Sequence, residues 1–253
     1  MIKNERQEKL VHILSKRNSM KVSELSSKLN SSMMTIRRDL DFLEKNGIVK
    51  RYHGGVTIAK SDTTQPSFYE RIVEFSNEKY TIGTEAAKLI QNGSIVFFDA
   101  GTTPLAAVEH IPDDIEFTAV TTGLLTAVAL CNKPRANVVN VGGTIHHSSY
   151  SCINQRSVDI IKEFHADLAF ISTKSICLPD GTYEAQLPLI EIKQAIVESS
   201  DRVVLLVDNS KFDNKSMCRA ISMEQIDTVI TDNKTPPEYI EQMEKSGTQV
   251  IIA

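Results

Sequence analysis

The chain of 253 residues contains no apolar run approaching the roughly 20 residues needed to cross a bilayer, which excludes a helical membrane span. Its first ten residues, MIKNERQEKL, lack the apolar stretch of a secretory signal, so a soluble, cytoplasmic protein is expected. Cysteine is scarce. Cys131, Cys152, Cys177 and Cys218 lie far apart and form no C-x-x-C pair, which argues against a disulfide framework or a structural zinc and leaves reduced thiols. No metal and no cofactor are expected. Basic charge is also in deficit: the net charge is −4, which taken as a whole argues against a nucleic-acid partner.

The charge reads differently once it is divided by position. Residues 1–60 carry 13 lysines and arginines against 6 acidic residues, a balance of +7. Residues 61–253 carry 15 against 26, a balance of −11. A basic end on an acidic body suits one module that faces phosphates and another that stays clear of them.

Three helices are expected in the basic end. Arg6 to Arg17 places Leu10, Ile13 and Leu14 on one face, and Val22–Leu29 repeats Val22, Leu25 and Leu29. The Asn30-Ser31-Ser32 break supplies a turn and a cap for a third helix, Met33–Lys45, which Gly47 ends. In that helix Ile36, Leu40 and Leu43 share one face, leaving Thr35, Arg37 and Arg38 near its start and away from the seam. This is the arrangement of a helix-turn-helix, whose recognition helix meets base edges with its N-terminal turns. Arginine suits guanine O6 and N7; a solvated helix face is the plainer reading of an Arg-Arg pair taken alone. Ile48 to Ile58 then reads as two short strands around a basic turn, the wing of a winged helix. There Lys50, Arg51 and His53 are placed to contact phosphate.

Taken together, Thr35-Ile36-Arg37-Arg38-Asp39-Leu40, Leu43-Glu44, Gly47 and His53-Gly54-Gly55 resemble the N-terminal domain of the DeoR family of transcriptional regulators. The expected organisation is a winged helix-turn-helix over 1–58, a connector over 59–76 with a short helix near Tyr69–Glu74, and a larger α/β domain over 77–253. In that last segment apolar strands and amphipathic helices alternate, which argues for a largely parallel sheet. Ligands of such sheets sit beyond the carboxyl ends of the strands. Asp99-Ala100-Gly101-Thr102-Thr103-Pro104 follows one strand, and its exposed amides at a helix start favour an anion, though simple helix capping would use the same residues. Gly142-Gly143 and Asp208-Asn209-Ser210-Lys211 close two further strands, and Lys193 lies on a helix that could face the same crevice.

Residues 77–252 resemble the sensor domain of the same family, which shares its fold with ribose-5-phosphate isomerases. The positions that match are Lys79, Asp99, Gly101, Thr102, Thr103, Gly142, Gly143, Lys193, Asp208, Ser210, Lys211 and Asp232. The resemblance implies a repressor of sugar or nucleoside catabolic genes, bound to double-stranded operator DNA as a homo-oligomer and released by a phosphorylated sugar. The effector-binding set is Asp99, Gly101, Thr102, Thr103, Thr122, Gly142, Gly143, Lys193, Asp208 and Lys211. Several positions depart from the family pattern: Thr122 for asparagine, Cys152, Ser172 and Ser175 for glycines, Tyr183 for threonine, and Leu189 for glutamate. The phosphate end of the pocket is therefore expected to be retained and the sugar end remodelled. The stretch Asp99–Leu130 resembles the name-giving deoxyribonucleoside regulators more than most relatives, which suggests deoxyribose 5-phosphate. Two alternatives stand beside this reading. One is an isomerase-like enzyme with a DNA-binding head, using Asp99 or Glu184 as base; the other is a regulator whose sugar pocket is lost. His146-His147 are expected as exposed loop residues rather than as acid–base or metal groups, and no catalytic residue is expected.

Overall fold

The computed structural model describes residues 5–15, 19–45, 47–52, 55–59 and 67–253. They form two compact units that divide between Ser76 and Asn77. Among the described residues no helix is long and apolar enough to cross a membrane.

The first unit contains α1 (Glu5–Ser15), α2 (Val22–Lys28), α3 (Met33–Lys45), the antiparallel pair β1 (Val49–Tyr52) and β2 (Gly55–Ile58), and α4 (Phe68–Val73). Its core is Leu10, Val11 and Leu14 of α1, Leu25 of α2, and Ile36, Leu40 and Leu43 of α3, closed by Ile48, Val56 and Ile58. Ser32 caps α3, its hydroxyl accepting from the Thr35 N–H at 3.2 Å. Gly47, at φ +69°, lets the Ile48 N–H return to the Leu43 carbonyl at 2.9 Å, which stops the helix. Met20 pairs with Val56 and adds a third rung to the wing. Asp39 is buried on the inner side of α3, where Arg6 Nε (2.5 Å) and Gln7 Nε2 (3.0 Å) donate to it and tie α1 down. Within the connector expected over 59–76, α4 packs on this same core through Val73, Tyr69 and Ile72.

The second unit runs α5 (Ser76–Ala87), β3 (Ile95–Phe98), α6 (Thr102–Glu109), β4 (Phe117–Thr121), α7 (Leu124–Leu130), β5 (Ala136–Asn140), β6 (Thr144–His146), β7 (Ser151–Ile153), α8 (Gln155–Ile161), β8 (Leu168–Ile171), β9 (Ser175–Cys177), β10 (Gly181–Glu184), α9 (Leu187–Glu198), β11 (Val203–Leu206), β12 (Cys218–Ile221), β13 (Thr228–Thr231), α10 (Pro237–Lys245) and β14 (Gln249–Ile252). Seven strands form one parallel sheet in the order β14-β13-β11-β8-β3-β4-β5. Alternate strand residues feed two cores on its opposite faces. Phe97, Ala169, Ile171, Leu205 and Val229 meet Val158 and Ile161 of α8, Ile192 and Ile196 of α9 and Met243 of α10. Val96, Phe98, Phe170, Val204, Leu206 and Ile230 meet Ile82 of α5, Val108 of α6 and Leu130 of α7. Burial on both faces is why β8, β11 and β13 read as unbroken apolar runs.

From β3 the chain winds outward to β4 and β5, then crosses back to β8 and continues to β11, β13 and β14. The order reverses between β3 and β8, the place where open parallel sheets leave a crevice at their carboxyl edge. Two antiparallel additions flank the sheet: the hairpin β6-β7 and the small sheet β12-β10-β9.

Candidate functional site

In the first unit the outer face of α3 carries Met33, Met34, Arg37 and Arg38, all exposed, opposite the buried Ile36, Leu40 and Leu43. Thr35 is half-buried and its hydroxyl lies 2.9 Å from that of Ser32, so it belongs to the helix cap as well as to the outer face. Lys50 is exposed on the wing. Arg51 is placed otherwise than its expected phosphate role suggests. Its guanidinium donates to Asp41 Oδ1 (2.6 Å) and to the Arg37 carbonyl (2.9 Å), lies near Glu44, and its own N–H donates to Glu44 Oε1. Two carboxylates on one arginine hold the wing strand against α3. His53 and Gly54 lie outside the described residues.

In the second unit the expected effector residues gather along one edge of the sheet. Asp99 follows β3, Thr122 follows β4, Gly142-Gly143 follow β5, and Asp208 follows β11. With strands about 5 Å apart, the stretch from Thr122 to Asp208 is about 15 Å across. Gly101 caps α6, and the first-turn amides of Thr102 and Thr103 have no intrahelical acceptor. Gly143 sits at φ +125°, and a Cβ there would come within 2.1 Å of Ser157 Oγ, so the turn after β5 admits glycine alone. Lys211 ends a single 3-10 turn, Asn209–Lys211, half-exposed; its ammonium has no carboxylate partner among the described residues.

Lys193 does not share that freedom. From α9 its ammonium, 94 positions from Asp99 in the chain, donates to Asp99 Oδ2 (2.5 Å) and to the Ser172 carbonyl (2.6 Å), and lies 3.5 Å from Glu184 Oε1. Asp99 also accepts from the Ala100 and Ser172 N–H groups (2.8 and 3.1 Å) and from the Ser172 hydroxyl (2.8 Å). Burial pushes the Asp99 carboxyl up, but Lys193 and the hydrogen bonds from Lys193 and Ser172 outweigh it and hold Asp99 below the usual range. Burial likewise opposes the Lys193 charge, and Asp99 and Glu184 together raise it above an ordinary lysine. Glu184 falls on the other side: burial raises its carboxyl, Lys193 offsets this only in part, and Asp99 adds to the rise.

Of the positions expected to depart from the family pattern, Ser172 takes part in this arrangement. Ser172 lies directly over Gly101, where an added Cβ would fall 2.0 Å from Ser172 Oγ. Gly101→Ala is therefore expected to drive Ser172 off Asp99 and lower stability by about 1–3 kcal/mol. Ser172→Gly in the same chain should recover most of that loss. Urea unfolding of the two single variants and the double variant checks this, and strictly additive losses would show that the two side chains do not collide. Cys152 is buried beneath the turn after β4, its N–H on the Thr122 carbonyl (2.8 Å) and its thiol 3.5 Å from Asn140 Oδ1. Tyr183 points elsewhere, its hydroxyl on Asp180 (2.8 Å). His146 is not a free loop residue: it ends β6, with Nδ1 2.6 Å from Ser149 Oγ. Among the described residues no cluster of His, Cys, Asp or Glu has metal-holding geometry.

Among the described residues, the buried polar atoms without a hydrogen-bond partner near these strand ends are Thr122 Oγ1, Thr126 Oγ1, Ser175 Oγ and Asp208 Oδ2. The other oxygen of Asp208 accepts from the Ser210 N–H and hydroxyl.

Comparison with known proteins places both units. Residues 6–62 match the DeoR-like helix-turn-helix domain and residues 74–233 the DeoR C-terminal sensor domain. The HTH-type transcriptional regulator GolR of Listeria innocua is 33% identical over 98% of each chain. The glycerol-3-phosphate regulon repressor of Escherichia coli is 29% identical over 93% of each. Among solved structures, ribose 5-phosphate isomerase A of Methanocaldococcus jannaschii is similar at 14% identity over 55% of each chain with a TM-score of 0.41, a likeness too loose to carry an argument. With a helix-turn-helix at its basic end, a sensor domain behind it and relatives that are transcriptional regulators along nearly its whole length, the chain belongs to the DeoR family of DNA-binding transcriptional regulators.

Proposed function

We propose that this regulator represses genes of sugar or nucleoside catabolism in the cytoplasm and leaves its operator when a phosphorylated sugar binds at the carboxyl edge of the parallel sheet. The observation that carries this reading is the group of orphaned buried atoms near the strand ends, with Thr122 Oγ1 and Asp208 Oδ2 on either side of the β3/β8 switch point. Buried polar groups are almost always satisfied, and a sugar hydroxyl brought to either end of this stretch would satisfy the orphaned atom there. The amides of Thr102 and Thr103 at the start of α6 would take the phosphate, with the Gly142-Gly143 backbone on one flank and Lys211 on the other offering further anion contacts. Lys193 would act through Asp99 and Glu184 rather than touch the phosphate itself. Arg37 and Arg38 would read bases and Lys50 would meet the backbone. Reading two half-sites calls for a homo-oligomer.

Asp99, the carboxylate at the switch point that an enzyme would use as a base, is committed elsewhere. Asp99 already accepts four hydrogen bonds and is held ionised. That favours sensing over isomerisation. Ser172 over Gly101 favours a second reading, a regulator whose pocket no longer admits a sugar.

Fluorescence anisotropy on the intergenic duplex beside the regulator's own gene, with a panel of sugar phosphates that includes deoxyribose 5-phosphate, tests this. Selective, salt-sensitive binding that one phosphosugar weakens at least ten-fold is the expected outcome. Selective binding that every sugar phosphate leaves unchanged would replace it with the lost-pocket reading.

A further inference from the structure

Met34 is 81% exposed and Met33 48% exposed, at the leading turn of the recognition helix. Neither is needed for the core, which Ile36, Leu40 and Leu43 fill from the opposite face. Each methionine precedes an arginine by four residues, so Met33 and Arg37, and Met34 and Arg38, are side-by-side neighbours on the outer face. The face is thus a patchwork of thioethers and guanidiniums, carried by a unit with a strongly positive charge balance. A large apolar side chain held in water gains nothing for the fold. What would cover it must be apolar and yet set within a polyanion, because two guanidiniums flank it. In the major groove of duplex DNA, the thymine C5-methyl group meets both conditions. Methionine suits such a contact, being flexible and polarisable.

We propose that Met34 reads thymine through its C5-methyl group, one or two base pairs from the guanine contacted by Arg38, with Met33 packing beside it. The spacing follows from the helix: neighbours at i and i+4 are about 6 Å apart, against a rise of about 3.4 Å per base pair. The proposal rests on the reading of α3 as the base-reading helix, and its test separates the two. Full-length protein is titrated at one salt concentration onto its selective duplex and onto the same duplex with uracil in place of thymine, which removes only the methyl groups. Wild type should bind the uracil duplex about four-fold more weakly per methyl contacted. Met34→Ala should bind both duplexes alike, at the level of wild type on uracil, while Met34→Leu should keep the preference for thymine. Because Met34 is on the surface, these variants fold as the parent does.

Equal affinity of wild type for both duplexes, or an undiminished thymine preference in Met34→Ala, would overturn the proposal while leaving the DNA reader in place. A changed assembly state of Met34→Ala in sedimentation, with its thymine preference intact, would assign the methionines to a contact between protein chains and equally overturn it. Loss of sequence-selective binding by wild type itself would remove the reading on which it rests.

Discussion

Lys193→Met is expected to cost the sensor unit about 3–5 kcal/mol of folding stability near neutral pH, because it leaves Asp99 and Glu184 buried with no cation between them. Asp99 beyond β3 and Glu184 of β10 meet at that ammonium on α9, and all three side chains are more than nine-tenths buried. The loss should also steepen the rise in stability toward acid that the raised Glu184 carboxyl already contributes in the parent. In the parent, Asp99 is held below its unfolded range, so the stability it contributes is present above that range and is lost as the pH falls through its folded value. Lys193 is raised, so its contribution holds below the ordinary lysine range and fades as the pH climbs through its folded value. Without the lysine, burial is the dominant influence on both carboxyls and raises them. The variant should then gain stability as the pH falls toward 5, because protonation removes the uncompensated charges. Urea midpoints at pH 5 and pH 7.5 measure both effects. A loss under about 1 kcal/mol, or parallel pH trends in parent and variant, would show that the three groups do not form one electrostatic unit.

Leu40→Ala is the second large effect, at about 2–5 kcal/mol in the first unit. Leu40 is fully buried between Ile36 and Leu43 on the inner face of α3. A unit of this size has about 4–10 kcal/mol of stability in all. The variant is therefore expected to lose the α3 scaffold and with it selective DNA binding at 37 °C, although no residue of the outer face is changed. Circular dichroism through a urea titration, with anisotropy on the same samples, checks it. Retained DNA selectivity with an unmoved unfolding midpoint would place Leu40 outside the core.

Local signals in the sequence located most of the elements. The expected Met33–Lys45 helix coincides with α3, and the expected alternation of apolar strands with amphipathic helices rests on runs such as Phe117–Thr121, Leu168–Ile171, Thr228–Thr231 and Gln249–Ile252, which form β4, β8, β13 and β14. Each is an apolar run or a clean periodic stripe bounded by a cap, a glycine or a turn. The strands β6, β7, β9, β10 and β12 were not legible, because three or four residues show no period and their partners can lie far off, as Thr182 does from Ile221. Arg51 illustrates the limit for function. A basic residue in a wing reads as a phosphate contact, and only folding brings Asp41 and Glu44 onto it. Lys193 is similar: its type and its helix were visible, but its convergence with Asp99 was not. The Ser172 substitution was visible as a departure from the family pattern, while its hydroxyl bond to Asp99 depends on β3 and β8 lying side by side.

That adjacency also sets an order in time. The first unit is built from contacts within the first 76 residues, whereas β3 must wait for β8, and the Asp99 cluster for Lys193, before either is complete. Ribosomes add about 5–20 residues per second and domains fold largely as they emerge. Each newly made chain is thus expected to spend on the order of ten seconds with its reader formed and its effector site still unbuilt. Through that interval the nascent regulator is blind to metabolite, and any chain cut short within it would remain so.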